Sequence, residues 1–205
     1  MRIFGVILAG GKGQRMGGAD KAFLPLAGRP LVAHAIARLE PQVERLAISA
    51  NGNAARFGFG LPVLADPAGA MGPLAGILAA LNWAAPLGAT AVLSAPVDGP
   101  FPPGDLCPRL CLAGENAPFG LAIAHAGGRL HPTFGLWPVQ LAGPLAQFLA
   151  SGAKPKVMDF ARAHAAAAAD FADDGSFDNL NTPEDLARAE ALLARPGNEA
   201  AKSCS

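Results

Sequence analysis

Short runs of apolar residues alternate along this chain with longer stretches whose apolar positions recur at helical spacing. The first run, Ile3-Phe4-Gly5-Val6-Ile7-Leu8, is almost continuous, as expected of a central parallel strand covered on both faces. Arg45 to Ser49, Leu61 to Ala65 and Thr90 to Ser94 are shorter runs of the same kind. Between them, Pro30 to Glu40 and Pro73 to Trp83 carry helix-spaced apolar residues, with Pro30 and Pro73 where a helical first turn tolerates proline. Strands alternating with helices predict an α/β fold with crossover connections.

Beyond Pro103 the pattern changes character. Gly120 to Ala124 and Thr133 to Trp137 read as paired strands flanking a Gly127-Gly128 turn, and Val139 to Ala150 as a helix. Thr182-Pro183-Glu184-Asp185 is a helix start, with a Thr cap, Pro at the first helical position and acids in the first turn. That helix is expected to reach about Ala194 and to stop at Pro196-Gly197. No repeat or linker divides the chain. The expectation is a single three-layer α/β/α domain over residues 1–197 with a mostly parallel central sheet, followed by a polar tail at 198–205.

Composition narrows the function. Hydrophobic residues make up 51% of the 205 and charged residues 16%, so the chain has ample material for a core. Lys+Arg and Asp+Glu each number 16, so there is no global basic field to hold nucleic acid, and phosphate binding must be local. No apolar run approaches membrane-spanning length, and a cytoplasmic protein is expected. The three cysteines, Cys107, Cys111 and Cys204, make no disulfide framework. Cys107 and Cys111 are spaced to share a helix face, which ordinary helix packing explains without a metal.

The most informative segment is Leu8-Ala9-Gly10-Gly11-Lys12-Gly13-Gln14-Arg15-Met16-Gly17-Gly18-Ala19-Asp20-Lys21. It follows the first strand directly, at the carboxyl edge where α/β sheets bind ligands. Its five glycines let the backbone approach anionic oxygens, and Lys12, Arg15 and Lys21 add cations. Together these describe a polyphosphate cradle. A Walker A string does not occur, and in a dinucleotide fingerprint begun at Gly11 and Gly13 the third glycine's place is taken by Met16. Asn51 ends the second strand, where an Asn is ordinarily a turn residue, and Asp66 ends the third, ahead of a helix. Glycines at Gly72 and Gly76 would allow a ligand close to a helix N-terminus. Asp98, in Ala95-Pro96-Val97-Asp98-Gly99-Pro100-Phe101, is a lone acid at a strand's carboxyl edge facing the glycine loop. There it suits Mg²⁺, which takes one or two carboxylates and completes its shell with water and phosphate. Asp105 is more simply a helix N-terminal acid, and His131 a core or turn residue.

The string Leu8-Ala9-Gly10-Gly11…Arg15-Met16-Gly17…Asp20-Lys21 resembles the signature loop of the molybdenum cofactor guanylyltransferases, within the glycosyltransferase-A-like nucleotidyltransferases. The resemblance continues at Asn51, Asp66, Gly72-Pro73-Leu74-Ala75-Gly76, Pro96-Val97-Asp98-Gly99-Pro100-Phe101, His131-Pro132-Thr133, Lys154-Pro155-Lys156 and Asn179-Leu180-Asn181-Thr182-Pro183-Glu184-Asp185. It implies a Rossmann-like fold and transfer of GMP from GTP to molybdopterin, with pyrophosphate released. Implied contacts to GTP are Leu8, Ala9, Gly10, Gly11, Lys21, Asn51, Asp66 and Asp98. Arg15, Lys21 and Asp98 would carry catalysis, Asp98 holding Mg²⁺. Lys154, Lys156, Asn179 and Asn181 would receive the acceptor, although the Arg that the family often carries near Lys154 is absent here. Transient contacts with cofactor-insertion proteins and apo-molybdoenzymes are implied as well. A cytidylyltransferase acting on the same pterin, a sugar-phosphate nucleotidyltransferase and a GTP-binding regulatory module are the competing readings. The Gly10 form of the loop disfavours the first two and the presence of Asp98 the third.

Overall fold

The computed structural model describes residues 1–10, 20–151 and 156–193, with only the backbone of residue 192. Among the described residues nine strands run in chain order: β1 Ile3–Leu8, β2 Pro25–Leu26, β3 Arg29–Pro30, β4 Arg45–Ser49, β5 Val63–Leu64, β6 Ala91–Pro96, β7 Ala122–Ala126, β8 Arg129–Pro138 and β9 Ala167–Asp170. The α-helices are α1 Leu31–Leu39, α2 Pro73–Ala84, α3 Leu106–Gly114, α4 Ala142–Ala150, α5 Val157–Ala163 and α6 Pro183–Leu193.

Seven strands form one sheet in the order β5-β4-β1-β6-β8-β7-β9, and β2 and β3 form a small separate hairpin. β1 pairs in parallel with β4 on one side and β6 on the other. The chain leaves β1 toward β4 and β5, then returns to place β6 on β1's other edge. Connections therefore depart from β1 and β6 in opposite directions. That reversal opens a crevice at their carboxyl ends, where open α/β sheets take ligands. β8 joins antiparallel to both β6 and β7, so the sheet is parallel from β5 to β6 and mixed beyond β6.

Side-chain alternation on β1 explains the layers. Ile3 and Ile7 pack with α1, α3 and α6, through Leu31, Leu39, Leu110 and Ala189 among others. Phe4, Val6 and Leu8 point to the other face, against Leu74 and Ile77 of α2, Leu145 of α4 and Phe160 of α5. The sheet is thus covered on both faces, as the unbroken apolar β1 predicts. Gly76 differs from its expected ligand role. A Cβ there would lie 2.4 Å from Ser49 Oγ and 3.0 Å from Leu8 Cδ2, so this glycine lets α2 settle onto β4 and β1.

Three elements depart from the sequence pattern for local reasons. β9 is an alanine-rich strand with no β-branched residue; it forms because it extends the sheet beside β7. The strand expected at Leu61 to Ala65 shrinks to Val63–Leu64, paired only at the edge of β4. Pro30 ends β3 and caps α1 from outside rather than opening its first turn. In the β2–β3 hairpin Ala27 and Gly28 both have positive φ, 47° and 78°, the conformation that a two-residue turn demands.

Two buried polar residues tie these parts together. Ser94, fully buried on β6, donates to the Thr133 carbonyl (2.8 Å) and accepts from Trp137 Nε1 (2.9 Å), clamping β8 to β6. His34 on α1 donates from Nε2 to the Leu26 carbonyl (2.8 Å), holding the hairpin that follows Lys21. Ser94→Ala should cost about 1–3 kcal/mol in urea unfolding, because the buried Trp137 N–H is left without an acceptor. An unchanged midpoint would show that the indole finds another partner. Burial holds the imidazole of His34 below its ordinary range, and the same cause acts on His131. The unfolded chain then binds more protons than the folded one below about pH 6.5. Stability should be full above that pH and fall as the pH drops through and below it. The decline should be shallower in His34→Gln, measured as urea midpoints from pH 8 to 5.

Candidate nucleotide and acceptor site

The crevice between β1 and β6 is furnished by the chain segments that leave these two strands. Beyond Leu8 the sheet persists for one more residue on each side. Ala9 N–H donates to the Ser49 carbonyl (2.8 Å), and Val97 N–H to the Leu8 carbonyl (3.0 Å). Leu8 and Ala9 are buried, and these backbone groups belong to the sheet. Gly10 is exposed, with open space where a side chain would stand, so a ligand can approach its backbone closely. Gly11, Lys12 and Arg15 of the loop lie outside the described residues, as does Lys154.

The chain re-enters at Asp20, whose Oδ1 accepts from Ala22 N–H (3.2 Å) and starts a single turn at Lys21–Phe23. That turn aims Lys21 across the crevice. Its ammonium meets Asp98 Oδ2 at 2.9 Å and Asn181 Oδ1 at 2.5 Å. The side chains of Lys21 and Asp98 are only 18% and 20% exposed, so the ion pair is shielded far more than a surface pair. Asp98 is fixed from behind as well, because its backbone carbonyl accepts from Leu180 N–H (2.7 Å). Three residues read separately from the sequence thus form one cluster: a cation from the glycine loop, a carboxylate from the end of β6, and an amide from the segment before α6. A side chain at Gly99 would strike Phe134 at 2.6 Å, so glycine is required beside Asp98.

Asn181 owes its place to a cap. Thr182 Oγ1 accepts from Asp185 N–H (3.2 Å), and Asp185 Oδ2 accepts in return from the N–H groups of Asn181 and Thr182, both at 2.9 Å. These bonds, that from Asn181 first, hold the Asp185 carboxyl below its ordinary range, and Arg188 pairs with its other oxygen. The sequence marks Thr182 and Asp185 as helix-start residues; their reciprocal bonding is what orients Asn181.

On the other side of β1, Asn51 and Asp66 bind each other. Asn51 Nδ2 donates to Asp66 Oδ2 (2.8 Å), and Asp66 N–H donates to Asn51 Oδ1 (3.0 Å). The pair bridges the ends of β4 and β5 and stands partly open to solvent beside the loop that leads to α2. Gly72, with φ +85° and open space around it, turns the chain into that helix.

A cleft of about 700 Å³ opens beside Asn179 and Asn181, walled by β8 residues 129–134, the 174–181 segment and α6. Arg129, Asp174, Asp178 and Arg188 line it, none of which the sequence singled out. Their signal is weak because charged residues in loops and first helical turns are ordinarily solvated. His131 is buried and lies against Phe177 with ring centroids 5.0 Å apart, a packing role. Lys156 is exposed, outside this cleft, and precedes α5 on the opposite face of the sheet from α6; it is not brought together with Asn179 and Asn181.

Asp98 and the amide oxygen of Asn181 make a donor set of hard oxygens, which fits Mg²⁺. Among the described residues no group of three or more His, Cys, Asp or Glu could hold a metal by itself. A cation at Asp98 would therefore need substrate oxygens and water to complete its shell, as Mg²⁺ in phosphate chemistry does.

Comparison with known proteins identifies the family. Residues 5–167 match the family model of the MobA-like NTP transferase domain. The chain is 62% identical over 196 residues to a molybdenum cofactor guanylyltransferase of Cereibacter sphaeroides, covering 95% of this chain and 99% of that protein. It is 45% identical to a molybdenum cofactor guanylyltransferase of Mesorhizobium japonicum, covering 93% and 96%. In fold it resembles the crystal structure of molybdopterin-guanine dinucleotide biosynthesis protein A from Archaeoglobus fulgidus, with a TM-score of 0.75 at 22% identity over 93% of this chain and 98% of that one. The chain belongs to the molybdenum cofactor guanylyltransferase family and carries its MobA-like NTP transferase domain.

Proposed function

We propose that this protein transfers GMP from GTP to molybdopterin, forming the guanine dinucleotide and releasing pyrophosphate. The observation that carries the reading is the Lys21–Asp98–Asn181 cluster at the β1/β6 crevice, which joins a phosphate-binding segment to an acceptor cleft. Residues 1–197 act as one nucleotidyltransferase domain with a nucleotide half and an acceptor half. Among the described residues no helix is long and apolar enough to cross a membrane, and we place the reaction in the cytoplasm. Contacts with cofactor-insertion proteins and apo-molybdoenzymes would be transient.

The nucleoside of GTP lies toward Asn51 and Asp66, its phosphates toward Gly10, Lys21 and the glycine loop with Arg15. The acceptor's terminal phosphate enters from the cleft beside Asn179 and Asn181. An oxygen of that phosphate attacks the α-phosphorus in line; the bond from that phosphorus to the bridging oxygen breaks, and pyrophosphate departs with the electron pair. A phosphate monoester is already anionic at neutral pH, so no side chain need remove a proton. Catalysis rests on orientation and on opposing charge. Lys21 meets the charge that develops on the departing phosphates, while Asn181 keeps its ammonium directed into the crevice. Asp98, with the amide oxygen of Asn181, would hold Mg²⁺, which when bound would supply charge neutralisation and polarisation of phosphate oxygens.

Titration calorimetry with GTP, CTP, ATP and UTP, each with and without Mg²⁺, tests the nucleotide. GTP should bind in clear preference; a preference for CTP would move the assignment to a cytidylyltransferase. Asp98→Asn should lower turnover by about 10²–10³-fold or more while the circular-dichroism spectrum stays that of the native fold. Full magnesium-dependent activity in that variant would remove Asp98 from the reaction. Lys21→Ala should weaken both GTP binding and transfer, and native values for both would remove the loop from the phosphate site.

A further inference from the structure

Arg56 belongs to none of the sequence segments that mark the site, yet it reaches the stem of the glycine loop. Its guanidinium pairs with Asp20 Oδ2 at 3.1 Å, with the two side chains 34% and 30% exposed. Asp20 immediately precedes Lys21, and its other oxygen starts the Lys21–Phe23 turn. The same turn is held at its far end by Phe23, whose ring lies 5.1 Å from that of Phe57. Phe57 is buried, and the Arg56 guanidinium lies 4.8 Å above its ring. Two consecutive residues therefore grip both ends of the turn that carries Lys21.

The gripping segment is itself ordered. Asn53 Oδ1 accepts from Ala55 N–H (3.0 Å), and Phe57 N–H donates to the Ala54 carbonyl (3.0 Å), closing one turn over Ala54–Arg56. It begins just past Asn51, at Gly52, whose φ of +88° reverses the chain and whose Cβ position would lie 3.5 Å from Arg56 Nη1. An isolated ion pair at this exposure stabilises little. This one is different in kind, because an aromatic face limits the arginine's freedom and the carboxylate's second oxygen is committed to the backbone. Such a pair fixes direction more than it adds stability.

We propose that Arg56 is a positioning residue for nucleotide binding: through Asp20 it holds the turn that directs Lys21 at the phosphates of GTP. The proposal rests on the reading that Lys21 meets those phosphates. It links the nucleoside side of the crevice, at Asn51, to the phosphate side, at Lys21, through a single short segment.

The test is calorimetric titration of GTP with Mg²⁺ into the full chain. Arg56→Ala should weaken binding about tenfold with an unchanged urea midpoint, and Asp20→Asn should do the same. Arg56→Lys should recover part of the loss. In a Lys21→Ala background, Arg56→Ala should cost less than about twofold, because its effect passes through Lys21. The same tenfold loss in that background would mean that Arg56 touches the nucleotide directly, and would overturn the proposal. So would native GTP affinity in Arg56→Ala, or a loss matched by a fall in the urea midpoint. Absence of GTP binding by the native chain would overturn the functional reading, and this proposal with it; native binding that Arg56→Ala leaves intact overturns this proposal alone.

Discussion

β1 and β6 lie side by side in parallel, paired from Ile3 with Ala91 to Leu8 with Pro96, and everything chemical in this molecule is suspended from that ladder. Both strands are buried along their whole length, so neither can slip by one residue without turning every side chain to the opposite layer, where it does not fit. Their carboxyl ends therefore stand at fixed positions, with Gly10 beyond one and Asp98 beyond the other. The outgoing connections separate because the chain places β4 and β6 on opposite edges of β1. The crevice is a consequence of strand order and needs no special loop to create it. What the loops add is charge.

In the partly dry crevice Lys21 and Asp98 balance each other. Lys21 and Asp98 would each be costly to shield from water alone; together, with the Asn181 amide completing the ammonium's bonds, the cost is offset. The cluster also has a mechanical effect. Lys21, Asp98 and Asn181 come from near the beginning, middle and end of the chain, so their contact closes the two sides of the crevice onto each other. The Thr182–Asp185 cap stiffens the third member, since Asp185 holds the backbone of Asn181 itself. Glu190 of α6 reaches Ala27 N–H in the hairpin beyond Lys21 (3.1 Å), a second tie between the same two ends of the chain.

How much of this the sequence discloses depends on the kind of interaction. The strands β1, β4 and β6 and the helices α2 and α6 are legible because burial imposes periodicity and because Pro73 and Thr182-Pro183 mark helix starts. Asp98 and Lys21 stand out as well, one at a strand's carboxyl end and the other closing a glycine-rich loop. β9 is hidden because Ala167 to Ala169 have no preference for a strand until β7 offers an edge. The Asn51–Asp66 pair joins two residues each read as a ligand contact or a local structural residue; only the adjacency of β4 and β5 brings them into mutual contact. Gly76 shows the opposite failure. A glycine near a helix start suggests room for a ligand, whereas here the space is filled by Ser49 and Leu8. Lys156 sits in a segment resembling the family, but α5 crosses to the other face of the sheet, and topology separates it from Asn179 and Asn181.

On the proposed reading one side of the crevice takes the nucleotide and the other the acceptor, and the difference between the two sides follows from these contacts. On the nucleotide side the polar groups are short and mutually bonded, Asn51 to Asp66 and Asp20 to Ala22 N–H, so their geometry is set before any ligand arrives. Preorganised groups lose little freedom on binding, which favours affinity and orientation for the nucleotide. On the acceptor side the cleft is lined by long side chains, Arg129 paired with Asp178 and Arg188 with Asp185, all but Asp185 mostly exposed. Exposed ion pairs are weak and exchange partners cheaply. An anionic acceptor can take one arginine from its carboxylate at small cost, while the buried parts of Asp185 keep the cap intact. A rigid nucleotide seat facing an adaptable, charge-balanced acceptor cleft is the arrangement that in-line transfer between two anionic substrates requires. The electrophilic phosphorus must be held still, and the incoming phosphate must be admitted without a standing excess of positive charge.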